Sequence, residues 1–197
     1  TDGDAVRDMY AQVKAQCGAI HVLFNNAGIS PSDDDSILRT GLEAWQRVQD
    51  VNLRSVFLCT KAAVPHMRRQ GGGSIVNICS IMSHGANELN IIAYTAAKGA
   101  LRNVTLQLGC EWADRGVRVN SVSPGFIVTE MVRPAIEGMG MDKWIASRTP
   151  MRRIGELDEM IDRELARLGK VVKMTDAYVA GREQEADAFW EKHAVQS

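Results

Sequence analysis

This sequence lacks several features that mark specialised classes of protein. It has no uninterrupted apolar run of about 18 residues, the minimum for a membrane-spanning helix. It has no basic excess, because 23 lysines and arginines stand against 24 acidic residues, and this excludes a dedicated nucleic-acid binder. Its first residues lack the basic start and apolar core of a secretory signal. These absences predict a cytoplasmic protein with neither membrane nor nucleic-acid partners.

The sequence is also poor in patterns that bind metals. Its 4 cysteines form no CxxC pair, and its 4 histidines form no HExxH motif. Each cysteine lies in an apolar or helical run, which is typical of a reduced thiol packed in a protein interior. We therefore expect no metal site and a reducing compartment.

The hydrophobic pattern of the 197 residues predicts alternating strands and helices. Buried strands are expected where short apolar runs end in polar or glycine turns, and helices where apolar residues recur every three or four positions. The predicted helices are 1–18, 41–70 and 91–116, and the predicted strands are 19–28, 71–80 and 117–125. This βαβαβ order with short connections indicates an α/β fold with a parallel sheet and right-handed crossovers.

The composition changes after about Gly155. Residues 156–197 are richer in charge, and apolar residues between Leu157 and Leu168 recur on one helical face. A second, solvated helix is predicted at 182–195. We therefore divide the chain into a partial α/β domain, 1–155, and a charged helical tail, 156–197.

Polar residues of the types that occur in active sites cluster at the predicted strand ends. The NNAG segment at 25–28 ends the first strand, and Ser80 ends the second. Tyr94 and Lys98 lie one turn apart in the following helix, so their side chains point the same way. Asn52 lies inside the first long helix. Because ligands of open α/β sheets bind at the carboxyl ends of strands, these residues are predicted to converge on one binding edge.

In the order and spacing of its motifs, the sequence resembles the short-chain dehydrogenases/reductases over roughly residues 1–160. The motifs that carry the resemblance are NNAG at 25–28, VNLRSVF at 51–57, GSIVNICS at 73–80, YTAAK at 94–98 and RVNSVSPGFIVTEM at 118–131. The resemblance implies a partial Rossmann-like, doubly wound parallel sheet of three strands. It also implies an oxidoreductase that transfers a hydride between NAD or NADP and a small alcohol or ketone.

The resemblance assigns roles to individual residues. The implied catalytic set is Asn52, Ser80, Tyr94 and Lys98. The implied cofactor-binding set is Asn25, Ala27, Gly28, Tyr94, Lys98, Pro124, Gly125, Ile127 and Thr129, with the NNAG residues beside the adenosine half and the last four cradling the nicotinamide. Cys79 stands where the family often has a second serine. The two long helices commonly form a subunit interface in the family, which implies a homodimer or homotetramer.

Elementary chemistry is consistent with that catalytic set. Reduction of a carbonyl leaves an oxygen that needs a proton, which a tyrosine of ordinary pKa, about 10, can give. We expect the ammonium of Lys98 to lower the pKa of Tyr94. We expect Ser80 to hydrogen-bond the carbonyl oxygen, and Asn52 to hold a water that relays protons to Lys98.

Two parts of the family pattern are missing from this sequence. It contains no TGxxxGxG loop, whose backbone binds the cofactor pyrophosphate, and no closing glycine-rich segment. The opening TDGDAV corresponds to the region after the family's third strand, so the residue that selects NAD or NADP is absent too. We expect the remaining three strands to leave one face and one edge of the sheet bare. The chain is then poorly stable alone, or buries that surface against a copy of itself or a partner.

Three interpretations remain open at this point. The chain is a piece of an NAD(P)-dependent oxidoreductase, a non-catalytic relative that uses the same scaffold for binding, or a truncated gene product without a function of its own. Cofactor binding separates the first from the other two, and a stable fold without cofactor binding is expected of the second.

Overall fold

Three parallel strands form the centre of the protein. In the computed structural model, residues 2–129, 132–133, 136 and 140–160 are described. The strands are β1 (Val22–Asn25), β2 (Gly73–Ile78) and β3 (Val117–Val122), hydrogen-bonded in the order β1-β2-β3. Val22 pairs with Ser74, and Gly73 pairs with Val117. The predicted α/β fold and parallel sheet are confirmed, with shorter strands than predicted.

Helices fill the connections between the strands. The helices in the first part of the chain are α1 (Gly3–Cys17), α2 (Leu42–Gln49), α3 (Ser55–Arg69) and α4 (Ile92–Trp112). Short 3-10 turns follow at Ile81–Ser83 and Ala113–Arg115, and later helices are α5 (Met141–Arg148) and α6 (Leu157–Glu159). The predicted helix at 182–195, and the predicted continuation of α6 beyond residue 160, lie outside the described residues.

The long helix predicted at 41–70 contains a wide turn that the sequence pattern does not predict. Residues Asp50–Arg54 form a π-helical turn between α2 and α3, in which the N–H of Ser55 bonds to the carbonyl of Asp50. Such turns insert one extra residue into a helix and are frequent at functional sites. Asn52 lies in the middle of this turn and is fully buried.

Local capping explains where the first helix begins and ends. The carboxylate of Asp2 accepts a hydrogen bond from the N–H of Asp4, 2.9 Å away, and so satisfies a free donor of the first turn. Gly18 ends the helix with φ of 75°, a backbone conformation that favours glycine.

The hydrophobic core lies between the sheet and the helices. Its largest cluster comprises Tyr10, Ile20, Leu23, Ala63, Val64, Met67, Ile75 and Val117. Ile75 and Val76 are successive residues of β2, so their side chains point to opposite faces, and both are 0% exposed. Both faces of the middle strand are therefore covered, in contrast to the bare face predicted from the sequence.

The chain divides into two compact units, with the division after Gly125. In the second unit, Ile127 forms a parallel bridge with Gly155, and the rings of Phe126 and Trp144 meet edge to face at 5.9 Å. The division predicted after residue 155 stays a prediction. Among the described residues, no helix is long and apolar enough to cross a membrane, and no cluster of three potential metal ligands occurs.

Candidate active site

Ser80 lies just beyond the carboxyl end of the middle strand. Strand β2 ends at Ile78, and Ser80 caps the 3-10 turn that follows, with its side chain accepting from the N–H of Met82 at 3.2 Å. The N–H of Ile81 donates to the carbonyl of Pro124 at 3.0 Å, which joins this turn to the end of β3. Ser80 is thereby held at the predicted edge of the sheet.

Tyr94 and Lys98 face Ser80 from the first two turns of α4. The ammonium of Lys98 donates a hydrogen bond to the carbonyl of Ile78 at 2.6 Å and lies 5.7 Å from the centre of the Tyr94 ring. The Ser80 hydroxyl is near enough to the Tyr94 phenol to lower the pKa of that phenol. The structure thus brings together three of the four predicted catalytic side chains around the end of one strand.

Burial dominates the electrostatics of this group. It raises the pKa of Tyr94 above its ordinary value, and the hydrogen bond from Ser80 offsets only part of that shift. It also lowers the pKa of Lys98, partly against the effect of the neighbouring Cys79 thiol. The direction for Tyr94 is opposite to the one expected from the sequence. The physical reason is that desolvation of the phenolate is the largest effect and the Cys79 thiol raises the pKa further, while the Lys98 ammonium is directed at a backbone carbonyl.

Asn52 reaches the same region from the π-helical turn. Its Oδ1 accepts from the N–H of Ile29 at 2.7 Å, and its Nδ2 donates to the carbonyl of Ile29 at 2.8 Å. A Cβ placed on Gly28 would lie 3.3 Å from Oδ1 of Asn52 and 3.5 Å from Nζ of Lys98. The Asn52 amide therefore holds the loop after β1 through both its oxygen and its nitrogen. The expected relay of protons from a water on Asn52 to Lys98 stays a prediction.

A buried polar chain connects the strands to α4. Asn25 Nδ2 donates to Asn77 Oδ1 at 2.8 Å, Asn77 Nδ2 donates to Thr105 Oγ1 at 2.9 Å, and Thr105 donates to the carbonyl of Leu101 at 2.8 Å. Asn25, predicted to bind cofactor, is thus tied into the interior by its side chain. The other residues of the NNAG segment follow the strand, and Ala27 is exposed.

The remaining predicted cofactor residues fall in two places. Pro124 and Gly125 follow β3, beside the 3-10 turn that Ser80 caps. Ile127 and Thr129 belong to the second unit, where Thr129 accepts two backbone hydrogen bonds from residues 132 and 133. Their role toward a cofactor stays a prediction.

Asp34 and the Asn77–Thr105 pair were not predicted from the sequence. Asp34 is only 4% exposed, and its carboxylate accepts from the N–H groups of Ala93 and Tyr94 at 2.9 and 2.8 Å. A signal existed for Asp34, because α4 begins without a capping residue while three aspartates stand together at 33–35. For Asn77 the only signal was a polar residue inside the apolar run 75–79.

Comparison with known proteins adds to this geometry. The family model described as enoyl-(acyl carrier protein) reductase matches residues 1–165. Gluconate 5-dehydrogenase of Gluconobacter oxydans (strain 621H) is 35% identical over 164 residues, which cover 82% of this chain and 62% of that protein. This chain is therefore shorter than the relatives that it matches, and spans under two thirds of that dehydrogenase.

A second relative extends the match toward the end of the chain. An uncharacterised oxidoreductase of Bacillus subtilis (strain 168), YxbG, is 34% identical over an alignment that covers 95% of this chain and 68% of that protein. The alignment reaches into residues 156–197, whereas we expected the resemblance to end near residue 160. Among solved structures, gluconate 5-dehydrogenase from Burkholderia cenocepacia J2315, in complex with NADP and tartrate, is similar with a TM-score of 0.76 and 34% identity. That match covers 81% of this chain and 61% of the other.

Proposed function

Because this chain belongs to the short-chain dehydrogenase/reductase family, we propose that it acts in hydride transfer between a nicotinamide cofactor and the alcohol or carbonyl group of a small molecule. One observation carries the proposal: Ser80, Tyr94 and Lys98 converge at the carboxyl end of β2. A buried tyrosine beside a serine hydroxyl and a lysine supplies a proton donor, an oxygen-binding donor and a cation at one place.

The residues at this edge fit a nicotinamide cofactor. Gly28 leaves open the point that a Cβ would fill, within 3.5 Å of both the Asn52 amide oxygen and the Lys98 ammonium. The absence of a side chain at Gly28 keeps the Asn52 amide oxygen and the Lys98 ammonium uncovered on this side, and ribose hydroxyls can bond to such groups because they both donate and accept hydrogen bonds. Lys98 has three ammonium protons, and the carbonyl of Ile78 accepts one of them. The related structure from Burkholderia cenocepacia holds NADP, so we propose NADP or NAD and test NADP first.

Tyr94 and Ser80 handle the proton and the substrate oxygen in this proposal. The nicotinamide supplies or accepts the hydride. Tyr94 is protonated at neutral pH, because the ordinary pKa of a tyrosine is about 10 and burial raises it further, and it gives its proton to the carbonyl oxygen during reduction. The Ser80 hydroxyl, beside the Tyr94 phenol, donates to the same oxygen as charge develops. Lys98 holds the cofactor side of the site, and its ammonium stabilises the Tyr94 phenolate that is left after the proton has been given away.

The experiment that tests this function is a fluorescence titration of the purified 197-residue chain with NADPH and NADH. We expect saturable binding, and turnover with added carbonyl substrates. The variant Tyr94→Phe should keep cofactor binding and lose turnover by at least about a hundredfold, as for other general acids. A folded chain that binds neither cofactor would instead favour a non-catalytic relative or a gene product without its own function. Retained turnover in Tyr94→Phe would remove Tyr94 from the mechanism.

An exposed apolar surface on α3 and α4 supports self-association. Phe57 on α3 and Leu106 on α4 are each 55% exposed. Beside Phe57 is a cavity of about 390 Å³. Its lining residues are Gln46, Gln49, Asp50, Leu53, Arg54, Phe57 and Val104. Large apolar side chains on neighbouring helices are typical of an interface between subunits, so we propose a homodimer or homotetramer built on this α3–α4 surface.

A further inference from the structure

The helix that carries Tyr94 does not cap itself. Ile91 precedes the first turn of α4 and offers no side-chain hydrogen bond to it, and its backbone ψ of 58° differs from the extended geometry of an ordinary capping residue. The N–H groups of Ala93 and Tyr94 bond instead to the two carboxylate oxygens of Asp34, at 2.9 and 2.8 Å. A side chain about 60 residues upstream in sequence therefore provides the cap.

The aspartates on either side of Asp34 bond to other groups. Asp33 pairs with Arg47 of α2 through contacts of 2.6 and 2.7 Å. The carbonyl of Asp35 accepts from the N–H of Ile92 at 3.3 Å. Three consecutive aspartates thus have separate partners, and the middle one is held against the start of α4.

Asp34 is buried, so its carboxylate binds the first turn of α4 through directed hydrogen bonds and not only through charge. The residue is 4% exposed, so its carboxylate is nearly removed from water. A buried carboxylate is stable where backbone donors surround it, and the first turn of a helix also presents the positive end of the helix dipole. Hydrogen bonds to charged groups are the stronger kind, so the two bonds fix the backbone of Tyr94 tightly.

We propose that Asp34 is a positioning residue that sets the direction of the Tyr94 side chain toward Ser80 and Lys98. The proposal rests on the proposed function, in which Tyr94 donates the proton. Asp34 itself bonds only the backbone in these contacts, so it acts on the reaction through Tyr94. Small errors in the position of a proton donor lower the rate strongly, because transfer requires hydrogen-bond distance.

The first test follows individual backbone amides by NMR hydrogen exchange in the 197-residue chain. We expect the amides of Ala93 and Tyr94 to be protected in the unaltered protein, although they belong to the first turn of a helix. In Asp34→Asn, which keeps a single acceptor oxygen, their exchange should rise about tenfold or more, while amides of β2 remain unchanged. The matched control is Asp33→Asn, the same chemical change at the exposed neighbour. Unprotected amides in the unaltered protein overturn the proposal even where a variant fails to fold.

The second test asks whether the cap positions the ring. Tyr94 is one of 3 tyrosines, and its ring resonance can be assigned with Tyr94→Phe. We expect Asp34→Asn to shift this resonance and Asp33→Asn to leave it in place. A Tyr94 resonance unchanged by Asp34→Asn overturns the proposal, whether or not the chain turns over.

Kinetics provide the third readout and separate the two proposals. In Asp34→Asn we expect kcat to fall about tenfold or more, with the dissociation constant for NADPH unchanged. Asp34→Ala should lower kcat further, and Asp33→Asn should change neither value. An unchanged kcat in Asp34→Asn refutes the positioning role. An unaltered chain without turnover would count against the proposed function alone, since amide exchange and the ring resonance still decide the role of Asp34.

Discussion

Replacing the buried Asn77 with leucine should destabilise the protein strongly for a change at a single side chain. Asn77 is 0% exposed and lies on the middle strand, where its side chain bonds Asn25 of β1 and Thr105 of α4. Leucine has the same number of side-chain heavy atoms, branched at the same carbon, so the substitution leaves no cavity and removes both hydrogen bonds. The amide of Asn25 and the hydroxyl of Thr105 would each lose a buried partner.

The expected loss follows from those two groups. The Asn25 amide left without its partner costs about 1–3 kcal/mol, and Thr105, which keeps its bond to the carbonyl of Leu101, loses one hydrogen bond of about 0.5–1.5 kcal/mol. Asn77→Leu should therefore lower the free energy of unfolding by about 1.5–4.5 kcal/mol. That is a large part of the total stability of a typical domain, about 5–15 kcal/mol. An exposed asparagine such as Asn26 offers a matched control, and Asn26→Leu should change the stability by less than about 0.5 kcal/mol.

Urea unfolding followed by tryptophan fluorescence measures both values. A double-mutant cycle with Asn25→Leu refines the result, because the second substitution removes a group that the first one orphaned. The double variant should lose about 0.5–3 kcal/mol less than the sum of the two single losses. A loss below about 1 kcal/mol for Asn77→Leu, together with an additive double variant, would refute the reasoning about buried polar groups.

Further outcomes follow from the site and from the exposed helices. Lys98→Met should weaken NADPH binding about tenfold to a hundredfold, because it removes a charged donor, and unchanged affinity in the titration would contradict its proposed place. Since burial raises the pKa of Tyr94, its hydroxyl stays protonated over the usual range of assay pH. The kcat for carbonyl reduction should therefore be flat from about pH 6 to about pH 9 and fall above about pH 10. Alcohol oxidation needs the deprotonated form and should rise with pH, so a reduction rate that already falls near pH 7 would contradict the assignment. Phe57→Glu should shift the protein to smaller species in sedimentation, whereas Leu42→Glu, equally apolar and more exposed on α2, should leave the assembly intact.

The sequence was sufficient to predict those parts of the site that depend on local spacing. Tyr94 and Lys98 share a helix face because they lie four residues apart, and Ser80 meets them because it follows a strand that precedes the helix. The parallel order of three strands follows from their alternation with helices. Each of these predictions needs only the regular geometry of one element and its connection to the next.

The remainder depends on contacts between residues distant in the chain. Asp34 and Tyr94 are 60 residues apart, and nothing in the periodicity of either segment indicates that they bond. The upward pKa shift of Tyr94 arises from burial, a property of the folded surroundings that the pairing with Lys98 does not indicate. Asn52 was identified by its motif, but its hydrogen bonds to the backbone of Ile29 arise from the π-helical turn, for which no sequence pattern was recognised.

The π-helical turn at Asp50–Arg54 makes the number of residues in this segment as important as their identity. Each residue of an α-helix rotates the chain by about 100°, and a π-turn absorbs one residue beyond the regular repeat. Deleting a single residue such as Val51 would let α2 and α3 join as one continuous α-helix. In the joined helix, the residues before and after the deletion would be rotated by about 100° relative to their present positions. Either Asn52 would face Ile29 or Met67 would pack into the core, but not both. Related proteins should therefore tolerate changes of residue type in this turn far better than a change of length.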